Sequence, residues 1–235
     1  MKIFAISDLH LSLMVEKPMD VFGGAWENYT DKIRENWQKV VQKEDVVLVA
    51  GDLSWAMKLE ETKKDLEFLE SLNGTKIIIK GNHEYWWKSI SAVREVLPKN
   101  VFALQNDSIK IGNYIFAGTR GWEVPESDND INFTEKDEKI NAREQIRLEL
   151  TLSNMQRKRE EEDKVICLMH YPPFNAKRED NGFTQLFEKY NVDAVVYGHL
   201  HKNAGRYERR YVKNGISYYL TSADLIDMMP VEIKI

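Results

Sequence analysis

Nine residues able to hold a metal or move a proton occupy the same kind of place in this chain. Asp8-Leu9-His10 follows the apolar run 2–7, and Gly51-Asp52 follows the run 46–50. Gly81-Asn82-His83-Glu84 follows 76–80, His170 follows 165–169, and Gly198-His199-Leu200-His201 follows 193–197. Short runs rich in Val and Ile read as buried strands. A glycine at the end of one lets the backbone turn where a side chain would clash. The carboxyl ends of such strands are where α/β sheets hold their ligands. Gly-Asp and Asp-x-His are each ordinary turn sequences when met alone. Here the pattern recurs five times and takes in all five histidines of the sequence, so we read one constellation.

In extended backbone, residues i and i+2 point to the same side, so Asp8 with His10, and His199 with His201, can reach a shared ion. Seven or eight nitrogen and oxygen ligand types at one sheet edge exceed what one tetrahedral zinc takes. They suit two ions about 3.5–4 Å apart, the arrangement used for in-line attack on phosphorus. Imidazole and carboxylate without thiolate favour Mn²⁺, Fe or Zn²⁺ over Mg²⁺ alone. The expected cofactor is therefore a pair of divalent transition-metal ions.

The elements that must position these groups can be read between them. Apolar residues at helical spacing predict helices over 25–42, 60–72 and 85–97, the last stopped by Pro98. The segment 11–24, with Pro18 and Gly23-Gly24, reads as a long loop at a strand end, and such loops carry function. Residues 101–118 read as short antiparallel strands, and 121–134 as a polar, turn-rich loop. The longest helical pattern is 135–163, ending in a charge run expected to be a solvated face. A short helix over 183–190 precedes the strand from Asp193. The remainder, 205–235, reads as strands with turns at 213–215 and Pro230. Strand–helix alternation followed by hairpins predicts a layered α/β fold in one domain, 1–235.

Hydrophobic residues make up 43% of the 235 and charged residues 30%, as in a soluble globular protein. A balance of 33 basic to 38 acidic residues, net −5, gives no support for a broad polyanion-binding surface and no strong sign of nucleic-acid binding. No apolar segment approaches membrane-spanning length. A motif-bearing strand begins at Lys2, so no signal peptide is expected and the chain reads as cytoplasmic. Cys167 lies inside an apolar run and reads as a small buried hydrophobe.

Taken in order, these motifs resemble those of the calcineurin-like metallophosphoesterases, and they span Asp8 to His201. The resemblance implies a four-layer α/β/β/α sandwich of two mixed sheets, with the metal site at the strand carboxyl ends. It implies that Asp8, His10 and His201 hold the first metal, that Asn82, His170 and His199 hold the second, and that Asp52 bridges both. A hydroxide between the ions would attack phosphorus. His83 would stand near the leaving group as general acid or electrostatic stabiliser, and Glu84 would hold its imidazole in the required tautomer. The implied activity is hydrolysis of a phosphate monoester or diester.

Substrate choice is less directly written. The protein Ser/Thr phosphatase branch resembles this chain at Glu84, but its flanking arginines are replaced by Leu53-Ser54-Trp55 and Lys80. Aromatic residues beside the motifs, Trp55, Tyr85, Trp122, Tyr171 and Phe174, can stack a base. A phosphorylated small molecule or nucleotide is thus the expected substrate, with Trp55, Tyr85, Tyr171 and Arg120 as candidate contacts. Arg120 reads equally as a phosphate clamp and as a surface arginine. Trp86 and Trp87 read as packing beneath the loops. Arg206, Arg209 and Arg210, interleaved with Tyr207 and Tyr211, read as a solvated strand pair rather than a phosphate strip. The alternative to an enzyme is a metal-binding scaffold without turnover, which typically lacks members of the set; here the set is complete.

Overall fold

A strand buried on both faces can be apolar throughout, because alternate side chains enter different layers. The computed structural model describes residues 1–127, 130–202 and 208–235. In chain order its strands are β1 (Ile3–Ala5), β2 (Val46–Val49), β3 (Thr75–Ile79), β4 (Val101–Leu104), β5 (Asp107–Ile111) and β6 (Tyr114–Gly118). They continue with β7 (Lys164–Leu168), β8 (Ala194–Tyr197), β9 (Arg210–Lys213), β10 (Ile216–Leu220) and β11 (Val231–Glu232). The helices are α1 (Tyr29–Val40), α2 (Lys63–Ser71), α3 (Ile90–Val96), α4 (Glu135–Gln156) and α5 (Gly182–Lys189).

Two mixed sheets result. The first has the order β11-β1-β2-β3-β4, parallel except where β11 joins β1. The second has the order β5-β6-β7-β8-β10-β9, parallel inside and antiparallel at both edges. In β1 and β2, Phe4, Val47 and Val49 face an outer core shared with Ile33 and Trp37 of α1, Leu69 of α2 and Val93 of α3. Ile3, Ala5, Val46 and Leu48 face inward, against Phe116, Ile166 and Val196 of the second sheet. Val165, Cys167 and Val195 face the other outer core with Leu148 and Leu152 of α4 and Phe187 of α5. The order is helix, sheet, sheet, helix, the four layers expected.

Several boundaries depart from the sequence reading, for local reasons. α3 begins at Ile90 rather than near Tyr85, because the Ser89 hydroxyl caps the Ala92 N–H and Lys80 holds the Trp87 carbonyl in the preceding turn. β4 runs parallel to β3, since α3 is a crossover that returns the chain beside its own sheet; only β5 and β6 form the expected hairpin. α4 stops at Gln156. The charged run after it is a turn rather than a helical face: Asp163 accepts from the Glu160 N–H at 2.8 Å and pairs with Lys110 at 2.7 Å. α1 starts at Tyr29, preceded by single 3₁₀ turns at Met19–Phe22 and Gly24–Trp26 inside the expected loop. Arg206 and Tyr207, read as part of a strand pair, lie outside the described residues. Arg210 stacks over Tyr219 on the β9–β10 hairpin, as expected of an ordinary strand pair. Among the described residues no helix is long and apolar enough to cross a membrane.

One buried cation is built into the first outer layer. The Lys76 ammonium is fully buried and donates to the Leu72 carbonyl at 2.7 Å and the Gly74 carbonyl at 2.9 Å, just past the end of α2. Lys76→Met leaves those carbonyls unpaired and should lower stability by about 1.5–3 kcal/mol in urea unfolding. Burial pulls the Lys76 pKa down from 10.5 to about 8. Between those values the unfolded chain holds a proton the folded chain has lost, so the wild-type advantage should grow as pH rises above 8.

Candidate functional site

Six parallel strands deliver their carboxyl ends to one seam. β1 leads into Asp8 and His10, β2 into Asp52, and β3 into Asn82 and His83. From the facing sheet, β7 leads into His170, β8 into His199 and His201, and β10 into Asp224. The seam is stitched across the sheets. The Ser7 N–H donates to the Thr221 carbonyl at 2.7 Å, the His199 N–H lies 3.1 Å from both Asp8 oxygens, and His170 Nδ1 is 3.0 Å from the Ala50 carbonyl.

The turns that make this approach possible are special. A Cβ on Gly51, whose φ is +93°, would lie 2.9 Å from the Gly81 Cα and strike the His170 ring. One on Gly81 would collide with Asp52, and one on Gly198 with Asp8. Asp8, His10, Asp52 and His199 adopt φ of 57°, 46°, 53° and 70°, a region that L side chains seldom occupy. Such conformations cost on the order of 1–3 kcal/mol each and collect at functional sites.

The donor atoms converge. One ligand atom each from Asp8, His10 and His201 falls within a span of 4.8 Å, and so does one each from Asp8, Asp52 and His170. His170 Nε2 and His199 Nδ1 stand 3.3 Å apart, and both face the Asn82 side-chain oxygen, at 2.5 and 2.9 Å. Asp52 Oδ2 lies 3.5 Å from His170 Nε2 and 3.9 Å from His10 Nε2. His10 Nδ1 is buried without a partner among the described residues.

Burial dominates the electrostatics. It pulls His10 and His199 down to about 3 and lowers His170, so these imidazoles are neutral at pH 7 and offer lone pairs. Burial and the charge of Asp52 push the Asp8 carboxyl well above its usual range. Burial also opposes ionisation of Asp52, but His170, His10 and His83 outweigh it and hold that carboxyl low. Burial works against charging His201 as well, yet Asp224 and Asp8 raise it overall. Two buried carboxylates beside neutral imidazoles and an amide oxygen, with no thiol, form a donor set that fits divalent cations.

Around this cluster the other candidate residues take different places. His83 is partly exposed, its N–H donates to Asp52 Oδ1 at 2.9 Å, and its Nε2 is 4.0 Å from Asp52 Oδ2. Trp55 stacks on His10 at 4.8 Å and lies 4.4 Å from His83. Tyr171 is buried with its ring 4.4 Å from His199, and the Arg120 guanidinium lies over Trp122 at 4.8 Å. Tyr85 is largely exposed, 6.5 Å from His83. Trp86 and Trp87 are buried in the first outer core, as read from sequence. Phe174 packs edge-on to Tyr197, Tyr211 and Tyr218 and lines the groove beside His199.

Glu84 corrects the sequence reading. Its carboxylate does not meet the His83 ring, whose Nδ1 has no partner among the described residues. It accepts instead from the N–H groups of Gly81 at 2.5 Å, Asp52 at 3.0 Å, Ser54 at 3.3 Å, and Leu53. Both oxygens are thereby committed to fastening the β2 and β3 end loops together. Sequence reasoning also missed Asp224, whose Oδ1 is 2.9 Å from His201 Nδ1. Its signal was present: the apolar run 218–220 leads within four residues to an acid, the same pattern as at the other strand ends.

Removing the Glu84 carboxylate strands four N–H groups in the interior. Glu84→Ala should therefore lower stability by about 3 kcal/mol or more in urea unfolding, with Glu84→Gln, which keeps one acceptor oxygen, losing less. A change under about 1 kcal/mol, the net worth of a single ordinary hydrogen bond, would show that the clamp contributes little.

Comparison with known proteins agrees with this architecture. A protein from Methanocaldococcus jannaschii, uncharacterised, is 34% identical over 85 residues, 35% of this chain. That stretch is 47% of the relative, so the chain spans about half its length. A protein from Thermus thermophilus superposes with a TM-score of 0.60 at 14% identity, over 99% of this chain and 97% of that one. The phosphopantetheinyl hydrolase of Mycobacterium tuberculosis gives 0.56 at 16%, over 94% and 88%. A protein of unknown function from Aquifex aeolicus gives 0.51 at 17%, over 98% and 95%. These likenesses show the shared fold. Residues 1–203 match the sequence model of the calcineurin-like phosphoesterases. With that match over most of its length, the chain belongs to the calcineurin-like phosphoesterase family of metal-dependent hydrolases.

Proposed function

We propose that the protein hydrolyses the phosphate ester of a small molecule or nucleotide at this seam, using two divalent transition-metal ions, Mn, Fe or Zn. Asp8, His10 and His201 would hold one, Asn82, His170 and His199 the other, and Asp52 would stand between them. The observation that carries the reading is the convergence of these buried donors, with His170 and His199 neutral and facing one amide oxygen. When bound, such ions supply Lewis acidity, lowering the pKa of water and polarising phosphoryl oxygens.

The residues of the chain supply the rest. Asp52, whose carboxyl accepts the His83 backbone N–H and is held below its usual range, would fix the spacing of the two donor groups. Asp224 orients His201 through Nδ1, leaving Nε2 directed toward Asp8 at 4.0 Å. Glu84 keeps Asp52 and Asn82 in register by tying their loops. Trp55 and Tyr85 flank the His83 side, while Tyr171 and Arg120 flank the His170 side. In the reaction a water oxygen bonds to phosphorus as the ester P–O bond breaks, and the electron pair stays on the leaving oxygen. His83 would give that oxygen a proton and recover one from the water consumed, so that alcohol and phosphate leave balanced.

Two outcomes test this. Purified protein should hold close to two transition-metal ions by elemental analysis, lose ester hydrolysis on chelation, and regain it with Mn²⁺. Bound metal without turnover of any aryl or alkyl phosphate ester would make the protein a scaffold, and activity in metal-free protein would remove the metal reading. His83→Ala should keep both ions yet lose roughly 10²–10⁴-fold in rate on alkyl esters, and far less on nitrophenyl esters, whose leaving group needs no proton. Equal losses on both would give His83 a positioning role instead.

A further inference from the structure

Beside the donor cluster a cavity of about 350 Å³ opens between the 19–26 segment and Trp55. His10, His83 and His201 reach it from the reacting side. The facing wall is of another character: Met19, Phe22, Trp26 and Trp55, with the side-chain-poor stretch 23–25 between them. The indoles are fixed in place, Trp55 stacked on His10 and donating to the Met19 sulfur at 3.1 Å, Trp26 edge-on to Tyr29. At the mouth Phe22 is 65% exposed, and Val21 beside it in the chain is 74% exposed. A lone exposed apolar residue needs no account. Phe22, exposed at the edge of a cavity wall built from Met19, Trp26 and Trp55, extends that apolar wall toward solvent.

Charge narrows the choice. Of the described residues lining this cavity, Lys202 is the one with a permanent positive charge, and its ammonium lies 3.5 Å from Asp227. Asp224, the one carboxylate among the described lining residues, is taken up by His201 and the Lys202 N–H. The forked cation that would seat a second phosphate or a carboxylate on the leaving group is not among them. On the other flank, the groove beside His199 carries Glu123, Glu126 and Asp130, which repel an anionic substituent.

We propose that this cavity receives the leaving group of the ester, and that the group is uncharged and apolar, an alkyl or aryl alcohol rather than a sugar, an amino acid or a further phosphate. The proposal rests on the phosphoesterase reading, since the phosphorus must sit on the donor cluster for its leaving group to lie against His83. Phe22, Trp26 and Met19 are then specificity-determining residues.

Ethyl, butyl and hexyl phosphate separate specificity from chemistry, because their leaving alkoxides are alike and only the chain differs. With the Mn²⁺-loaded full chain, and with the methyl diesters run beside the monoesters, kcat/KM should rise about fourfold for each methylene that enters the cavity. The corresponding alkylphosphonates, which cannot be hydrolysed, should bind with a parallel gradient read from tryptophan fluorescence. Phe22→Ser, a change at an exposed position, should flatten both gradients. Ile146→Ser, on the exposed face of α4, should leave them intact. Turnover independent of chain length, or glycerol phosphate or a nucleoside monophosphate preferred over hexyl phosphate, overturns the proposal while the phosphoesterase reading stands. Phosphonates bound with the gradient but no ester turned over would keep the cavity assignment and overturn the enzyme.

Discussion

Asp8 and Asp52 are buried carboxylates, and a buried carboxylate persists only where donors or cations surround it. Much of the architecture serves that condition. The His199 N–H reaches Asp8 from the second sheet, and the His83 N–H reaches Asp52 from the next strand of the first. The left-handed turns at both aspartates aim their side chains along the seam instead of into either sheet. Glycines at 51, 81 and 198 are the positions where any larger residue would push these groups apart. The mutual repulsion left over is what divalent cations would relieve, so the anionic centre and the family's metal dependence have one physical origin.

Around this centre a second tier of buried polar groups acts on backbone rather than on ligands. Glu84 ties four N–H groups from two loops. Asp65 does the same further out, accepting from the Leu13 N–H at 2.9 Å and pairing with the Ser54 hydroxyl. The first of these sets Asp52 against Asn82, and the second sets the loop after β1 against the loop after β2. Such carboxylates are bonded to backbone amides and a hydroxyl, and through them fix where the reactive ones point.

What could be read from sequence follows from range. A Val-rich run closed by Gly-Asp or by His is a local pattern, and the structure places each such run at the seam. The two-faced burial of β2 and β7 was also implied, since neither run alternates. The role of Glu84 is not legible in sequence because its partners are backbone amides, which residue types do not show. The start of α3 was misjudged because Trp86 and Trp87 mimic helical periodicity while packing from a turn. The cavity wall of Met19, Phe22 and Trp26 had no signal, because those residues meet only through 3₁₀ turns that no spacing rule describes.

The stitching across the seam has a consequence for how the molecule comes to exist. Asp8 is joined to His199 across 191 positions of chain, and Ala50 to His170 across 120. Contacts of such separation form late, because loop-closure entropy must be overcome before they contribute. The first sheet is itself completed by β11, which pairs with β1 from the far end of the sequence. Without β11 the β1 edge of the first sheet is open, and β1 to β3 alone carry half a site. The reactive centre can form only once β7, β8 and β10 stand beside the first sheet, because each supplies part of it.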